Sequence, residues 1–226
     1  MTGRTNAVVT RTSAAFYAAS WAEINAVAQS GRASQAWALG DAKEVTLTTG
    51  ETILIRIEDF DHDDLAGGGK APLTLGMSKC LNAGRQMNGS ASSSGGWGQS
   101  AMRAWMPTLL GQLPSDLRAL IKQAQKKTYD GYGSSHIEVT SDKLWLFSEV
   151  EVRGSTFVSA EGEGTLYPLF RSDAARIKTA GGSPSVWWLR SPHIGTGVHF
   201  CSVDAQGGNG STLASGTAGV SVGFCI

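Results

Sequence analysis

The chain has 226 residues, enough for a domain with a substantial core, and carries no net charge, with a pI near neutral. That balance leaves no polyanion footprint, so a nucleic-acid partner is not expected, and no run approaches the roughly 18 apolar residues of a membrane span. Charged residues are 17%, below the usual ~25%, while glycine, 29 of 226, exceeds a typical ~7%; this predicts turns and irregular loops rather than long solvated helices.

Trp21, Trp37, Trp97, Trp105, Trp145, Trp187 and Trp188 recur along the chain and are expected mostly in the core, each burying roughly 200 Å². Cys80, Cys201 and Cys225 are too few and odd in number for a disulfide framework. They read as buried free thiols, with Cys201 and Cys225 neighbours in the final sheet. The N-terminus has no continuous apolar stretch of the secretory type. A role outside the cell would then need another route, such as carriage on a virion.

In chain order, residues 1–18 show no clear period and read as a strand or an arm. Ser20 N-caps a helix whose Trp21, Ile24, Val27 and Ala28 share a face, with Gly31 ending it. Residues 44–48 and 52–60 alternate as strands joined by a turn at Thr49-Gly50. Asp59, Asp61 and Asp63 match the first ligand positions of a calcium loop. Asp64 then stands where that loop needs Gly and Lys70 where it needs Glu, so no metal is assigned and a capped acidic turn is predicted.

Residues 73–77 read as a strand, 80–87 as a helical turn or strand, and 88–96 as a Ser/Gly loop. Residues 97–110 place Met102, Trp105, Met106 and Leu109 on one helical face, with Pro107 expected to kink or split the helix. A second helix from Pro114 toward Lys127 would turn Leu117, Leu120, Ile121 and Ala124 inward, making Lys122 to Lys127 a solvated basic face. Residues 129–136 read as a loop. Residues 143–152 alternate as a central strand, and 154–182 as a long connection with a helical turn near 173–177. Strands at 186–190, 200–203 and 220–224 would complete one sheet. No repeat or linker interrupts the chain, so residues 1–226 are read as a single domain.

Catalytic signatures are missing from the sequence. There is no G-x-S-x-G elbow, no H-E-x-x-H and no pair of C-x-x-C, and the four histidines are far apart. The chain is therefore read as a non-enzyme without a cofactor. A catalytic alternative would require His199, Asp204 or Cys201 to converge in a pocket. Arg190, set among Trp residues, is expected to be buried and paired with Glu149 or Glu151 as a structural clamp.

The last forty residues differ from the rest. From Ser191 onward only Asp204 is formally charged, and bulk is confined to spaced anchors: Phe200, Val203, Leu213, Val220 and Val222. Trp187, Trp188, Arg190, Phe200 and Phe224 read as framework. The small polar side chains between them read as a display surface that binds a partner.

Several blocks resemble an uncharacterised domain family of bacterial and phage proteins, some of which are the variable proteins of diversity-generating retroelements. The resemblance covers about 40–226. It is carried by Phe60-Asp61-His62-Asp63 with Gly69-Lys70-Ala71, by Gly96-Trp97 with Ser100, Met102 and Arg103, and by Leu113-Pro114-Ser115-Asp116-Leu117 with Ile121-Lys122. It continues through Asp142-Lys143-Leu144-Trp145-Leu146 and Ser148-Glu149-Val150-Glu151, then Glu161-Gly162-Glu163-Gly164 with Tyr167. The terminal block is Trp187-Trp188-Leu189-Arg190-Ser191-Pro192 with Gly223-Phe224-Cys225-Ile226. The resemblance implies an α+β, C-type-lectin-like fold: a small mixed or antiparallel sheet, two helices and long irregular loops.

It also implies that the 3′ end of the gene is rewritten at adenines. Asn codons so altered cannot become Met, Trp, Gln, Lys or Glu. Those five types form roughly a fifth of residues 1–190, an ordinary share. From Ser191 to Ile226 only Gln206 belongs to them, where about seven are expected at that rate. The implied ligand-binding positions are His193, Gly195, Thr196, Val198, His199, Ser202, Asp204, Gly208, Gly210, Ser211, Thr212, Leu213 and Ser215. The implied setting is a phage tail or other surface adhesin contacting a host-surface protein or glycan, with a homo-oligomer possible. The alternative is a structural virion or decoration protein using the same fold for subunit contacts.

Overall fold

A computed structural model describes residues 15–226. The strand or arm expected at the N-terminus falls mainly on residues 1–14, which lie outside the described residues. Helix α1 (Trp21–Gln29) starts as the sequence predicts. Ser20 accepts from the Glu23 N–H while the Glu23 carboxylate accepts from the Ser20 N–H, a complete capping box. Phe16 packs edge-on against Trp21 and Trp37, closing this end of the core. A short turn, α2 (Ala33–Ala36), leads to the hairpin of β1 (Ala42–Thr46) and β2 (Thr52–Asp59). Its Ile53, Ile55 and Ile57 face inward.

After β3 (Thr74–Met77) and the two-residue β4 (Arg85–Gln86) comes α3 (Ala101–Gln112). It runs unbroken through Pro107, so the split expected there does not occur. Its buried face is Met102, Met106 and Leu109.

The second predicted helix is corrected. Helix α4 (Ser115–Leu120) stops six residues after Pro114, and the chain continues as strand β5 (Ala124–Tyr129) paired with β6 (Ile137–Asp142) over six positions. Tertiary partners override helix propensity here: Lys122 N–H reaches Cys225 O, and Gln125 N–H reaches Asp64 O. The lysines therefore do not form a solvated helix face. Lys126 points into the core between exposed Gln125 and Lys127.

The strand expected over 143–152 is likewise corrected. Only β7 (Trp145–Leu146) is strand, and α5 (Glu149–Arg153) follows, capped by a Ser148/Glu151 box. In a strand Glu149 and Glu151 would share a face; the helix sends them to different partners. A 3₁₀ turn (Pro168–Phe170), α6 (Asp173–Arg176), and the small hairpin of β8 (Lys178–Ala180) and β9 (Ser183–Ser185) fill the long connection. Lys178 is fully buried beside Trp187, Phe170 and Phe147. It donates to Met77 O and Ser221 Oγ, and burial pushes its amine down to about 7.

The terminal strands are β10 (Trp187–Pro192), β11 (His199–Val203), β12 (Asn209–Leu213), β13 (Thr217–Ala218) and β14 (Val222–Cys225). They do not complete one sheet. The main sheet is β1-β2-β3-β14-β7, and a separate sheet is β10-β11-β12. Cys201 and Cys225 thus lie in different sheets, and all three cysteines are free and buried. Among the described residues the fold is mixed α/β, mostly β, with six α-helical segments rather than two. Among the same residues every paired strand is antiparallel, and parallel pairing is limited to one isolated bridge, Trp187 to Gly219. No helix among the described residues is long and apolar enough to cross a membrane.

Two apolar clusters result, and β10 is the wall between them. Its Trp188 enters the main core with Phe200, Val222 and Phe224; Trp187 and Leu189 enter the second with Phe147, Tyr167, Phe170, Cys201 and Val203. This alternation is the period-two rule of a strand buried on both faces.

Candidate functional site

The frame under the C-terminal region is a buried network of charges. Arg190 is fully buried and spends its guanidinium on both carboxylate oxygens of Glu151 (2.5 and 2.9 Å), on Thr128 Oγ1, and on the carbonyls of Leu146, Lys127 and Glu163. The expected clamp is present, with Glu151 as its partner. Glu151 also meets Lys126 Nζ at 2.9 Å, and Lys126 meets Asp63 at 2.5 Å. Asp63 accepts further from Thr74 Oγ1 and Tyr167 OH.

Burial works against Asp63 as an anion, but the Lys126 charge and these hydrogen bonds outweigh it and hold its carboxyl down at about 2. Burial likewise opposes ionised Glu151, and the Arg190 and Lys126 charges reverse that and lower it. The acidic turn of the sequence is thus split by role. Asp59 pairs with His62 and Asp64 with Lys70, while Asp63 is consumed inside the protein.

Glu149 and Glu163 extend this frame toward the surface. The Glu149 carboxylate accepts the backbone N–H groups of Phe157, Val158 and Ser159 at 2.9–3.1 Å, fixing that loop. Glu163 accepts from the Tyr129 N–H at 2.8 Å and from the Ser191 hydroxyl. Burial raises the Glu163 carboxyl to about 7. Ser191 Oγ in turn accepts the Glu149 N–H at 2.9 Å. The first residue of the display region is therefore tied to both flanking loops.

Past Ser191 the chain opens outward. Gly195, Ser211 and Leu213 are exposed, and His193, Thr196, Val198, His199, Asp204, Gly208, Gly210, Thr212 and Ser215 are half-exposed. The His193 and His199 rings lie 6.3 Å apart, with Thr196 beside His199. Two assignments need correction. Ser202 is only 2% exposed, because β11 is covered on both faces; its hydroxyl accepts from Thr212 Oγ1. Leu213, expected among the anchors as well as the display positions, is 45% exposed on the edge strand and is not a buried anchor.

Asp204 commits one carboxylate oxygen, Oδ1, to its own turn. It accepts the Gln206 and Gly208 N–H groups and closes the β11–β12 turn, whose Gly207 carbonyl is held by Arg153 and Arg176. The framework residues Trp187, Trp188, Arg190, Phe200 and Phe224 are all buried, although Phe224 supports the main sheet rather than β11. His199, Asp204 and Cys201 do not form a reactive set. Cys201 faces the second core, where burial pushes its thiol well above the usual range, while Asp204 is held in its turn.

Concavities lie elsewhere as well. A cleft of about 300 Å³ beneath His62, Lys70 and Thr165 has the Asp63–Lys126–Glu151–Arg190 network as its floor. Another, about 520 Å³, lies against α3, where Arg103 pairs with Asp142 at 2.7 Å and Trp97 Nε1 donates to the same carboxylate. Among the described residues no group of three or more His, Cys, Asp or Glu is placed to hold a metal ion.

A family described as a domain of unknown function, DUF6273, matches residues 50–226. The chain belongs to the DUF6273 family. No curated protein and no solved structure matches it. The DUF6273 match runs from the turn before β2 through β14, so it takes in both the charged frame and the open terminal surface.

Sequence reasoning missed Lys126, Asp63, Tyr167 and Glu163 as members of one network. It also missed the exposed Tyr132, Phe157 and Ile194 around the terminal loop. The Ser148-x-x-Glu151 spacing was a legible helix start and would have placed Glu149 and Glu151 on different sides.

Proposed function

We propose that this chain is a ligand-binding, receptor-recognition protein with a C-type-lectin-like arrangement. Its C-terminal surface is diversified by a retroelement, and its setting is a phage tail or another adhesin. One observation carries the reading. In the stretch almost free of Met, Trp, Gln, Lys and Glu, the bulky anchors other than Leu213 are buried, and all proposed positions but Ser202 reach the surface. A rigid frame beneath exchangeable side chains is how scaffolded loops carry recognition. The reading assigns no chemistry to the charged network, whose Asp63, Lys126, Glu151 and Arg190 are engaged with one another.

The test is to sequence the DNA beside the gene. The expected result is a near-copy of the codons for residues 187–226, differing where the copy has adenine, next to a reverse-transcriptase gene. If neither is present, the terminal surface is a fixed binding or structural surface.

The decoration-protein alternative draws on β12. This edge strand, Asn209–Leu213, has neither charge nor proline to discourage strand addition. A stable oligomer in sedimentation that occludes β12 would favour that alternative.

A further inference from the structure

We propose, resting on the recognition reading above, that the receptor surface is wider than residues 191–226: Tyr132 and Phe157 are fixed apolar anchors of it, and its partner is a protein rather than a glycan. Phe157 is 67% exposed, Tyr132 61%, Ile194 47% and Leu213 45%. All four lie on or beside the loop that carries His193 and His199. Tyr132 packs beside Gly197, where a methyl group would sit 3.4 Å from its ring. The carbonyl of Val158, next to Phe157, accepts the Ile194 N–H at 2.8 Å. Leu213 is the cross-strand partner of His199. The other exposed large apolar side chains, such as Tyr17, Leu39 and Val139, belong to other segments.

The placement is built in. Glu149 holds the Phe157 loop by three backbone hydrogen bonds, Glu163 holds Tyr129 at the root of the Tyr132 loop, and both carboxylate-bearing segments meet at Ser191. Tyr132 and Phe157 stand outside the terminal region, so its diversification leaves them unchanged while the side chains between them vary. The energetic division follows: fixed aromatic anchors supply affinity, and the terminal positions supply discrimination.

The chemistry of the surface selects the partner class. A glycan presents chiefly hydroxyl groups, which call for several free carboxylate, amide or guanidinium partners. Residues 191–226 contain Asp204, Gln206 and Asn209 as the whole of that set, and one of the two Asp204 oxygens is used by its own turn. An uncharged centre with aromatic and aliphatic side chains and a small polar surround matches the core and rim of a protein interface.

The experiment measures binding of the labelled, purified protein to intact cells of a bacterial panel by flow cytometry. Alongside the parent run a Tyr132→Ala/Phe157→Ala variant and a His193→Ala/Thr196→Ala/His199→Ala/Ser211→Ala variant. Cells are used untreated, after proteinase K, or after periodate. Both variants should melt like the parent and bind about tenfold or more weakly. Proteinase K should abolish binding, and periodate should leave it. Parent-like binding by the aromatic variant, with the terminal variant defective, overturns the wider surface and leaves the recognition reading intact. Loss of binding to periodate alone overturns the protein partner. Parent-like binding by the terminal variant, or no bound cell in the panel, defeats the recognition reading and this inference with it.

Discussion

Strands β10 and β12 belong to the same three-stranded sheet but obey opposite rules. Every residue of β10 is buried, down to a charged Arg190, whereas β12 alternates exposed and half-buried residues with no charge at all. One strand is over-determined: Trp187 Nε1 donates to Arg176 O, Trp188 Nε1 to Arg85 O, and Arg190 makes six hydrogen bonds. The other owes its place to pairing with β11 and a turn anchored at Gly207. The contrast teaches where specificity of fold resides. Concentrating the constraint two strands away from the surface leaves the outer side chains free to change without moving the backbone.

The largest break in that contrast comes from Arg190→Ala. Removing the guanidinium takes from Glu151 its two-pronged partner, leaving it Lys126 and the Ser148 N–H, and strips the Leu146, Lys127 and Glu163 carbonyls of a buried donor. Losing one member of a buried ion set costs about 3–5 kcal/mol, which is comparable to the whole stability of many domains. The variant should be unfolded or strongly destabilised in urea titration. An unfolding midpoint close to that of the parent would mean the network is not the frame.

Acid should act on the frame. The folded pKa of Asp63, about 2, lies below its ordinary 3.8, so its contribution is complete above about pH 4 and is lost as pH falls through the folded value. The shift corresponds to about 2 kcal/mol. Glu163 has the opposite sign. Its folded value of about 7 is above the ordinary 4.5, so stability declines as pH rises between those two values. Between about pH 2 and 7, stability should therefore peak in mild acid, near pH 4–5. Glu163→Gln should flatten the upper limb and leave the acid limb. A profile unchanged by that substitution would assign the upper limb to other groups.

Much of the frame was legible in sequence because it obeys period and capping rules. Ser20 as N-cap marked the start of α1, the Ile53-x-Ile55-x-Ile57 alternation marked β2, and an arginine two residues after a tryptophan pair pointed to a buried clamp. What misled was a local signal overruled from a distance. Lysines in the Lys122–Lys127 run suggest a wet helix unless Asp63 and Glu151 are known to wait beneath the strand. The surface was harder. Side chains of residues 191–226 follow no strong period, and Ser202 and Ser211 are chemically identical; only β11's central place in its sheet separates them.

That pair gives the smallest and sharpest test. Ser202 sits 2% exposed opposite Trp188, and its hydroxyl is so close to Gly210 that a methyl group there would approach it to 2.8 Å. Ser211 is the next outward residue on β12 and is open to solvent. Tyrosine is among the residues an altered Asn codon can encode, so under the proposed diversification it is a fair substitution. Ser202→Tyr must overpack the space between the sheet and the main core and should cost about 1–3 kcal/mol. Ser211→Tyr should change stability by less than about 0.5 kcal/mol. Thermal unfolding of the two variants reads the difference directly. Equal tolerance would place Ser202 back among the display positions. The expected inequality would remove it and predict that a template copy of the gene carries no adenine that can alter its codon.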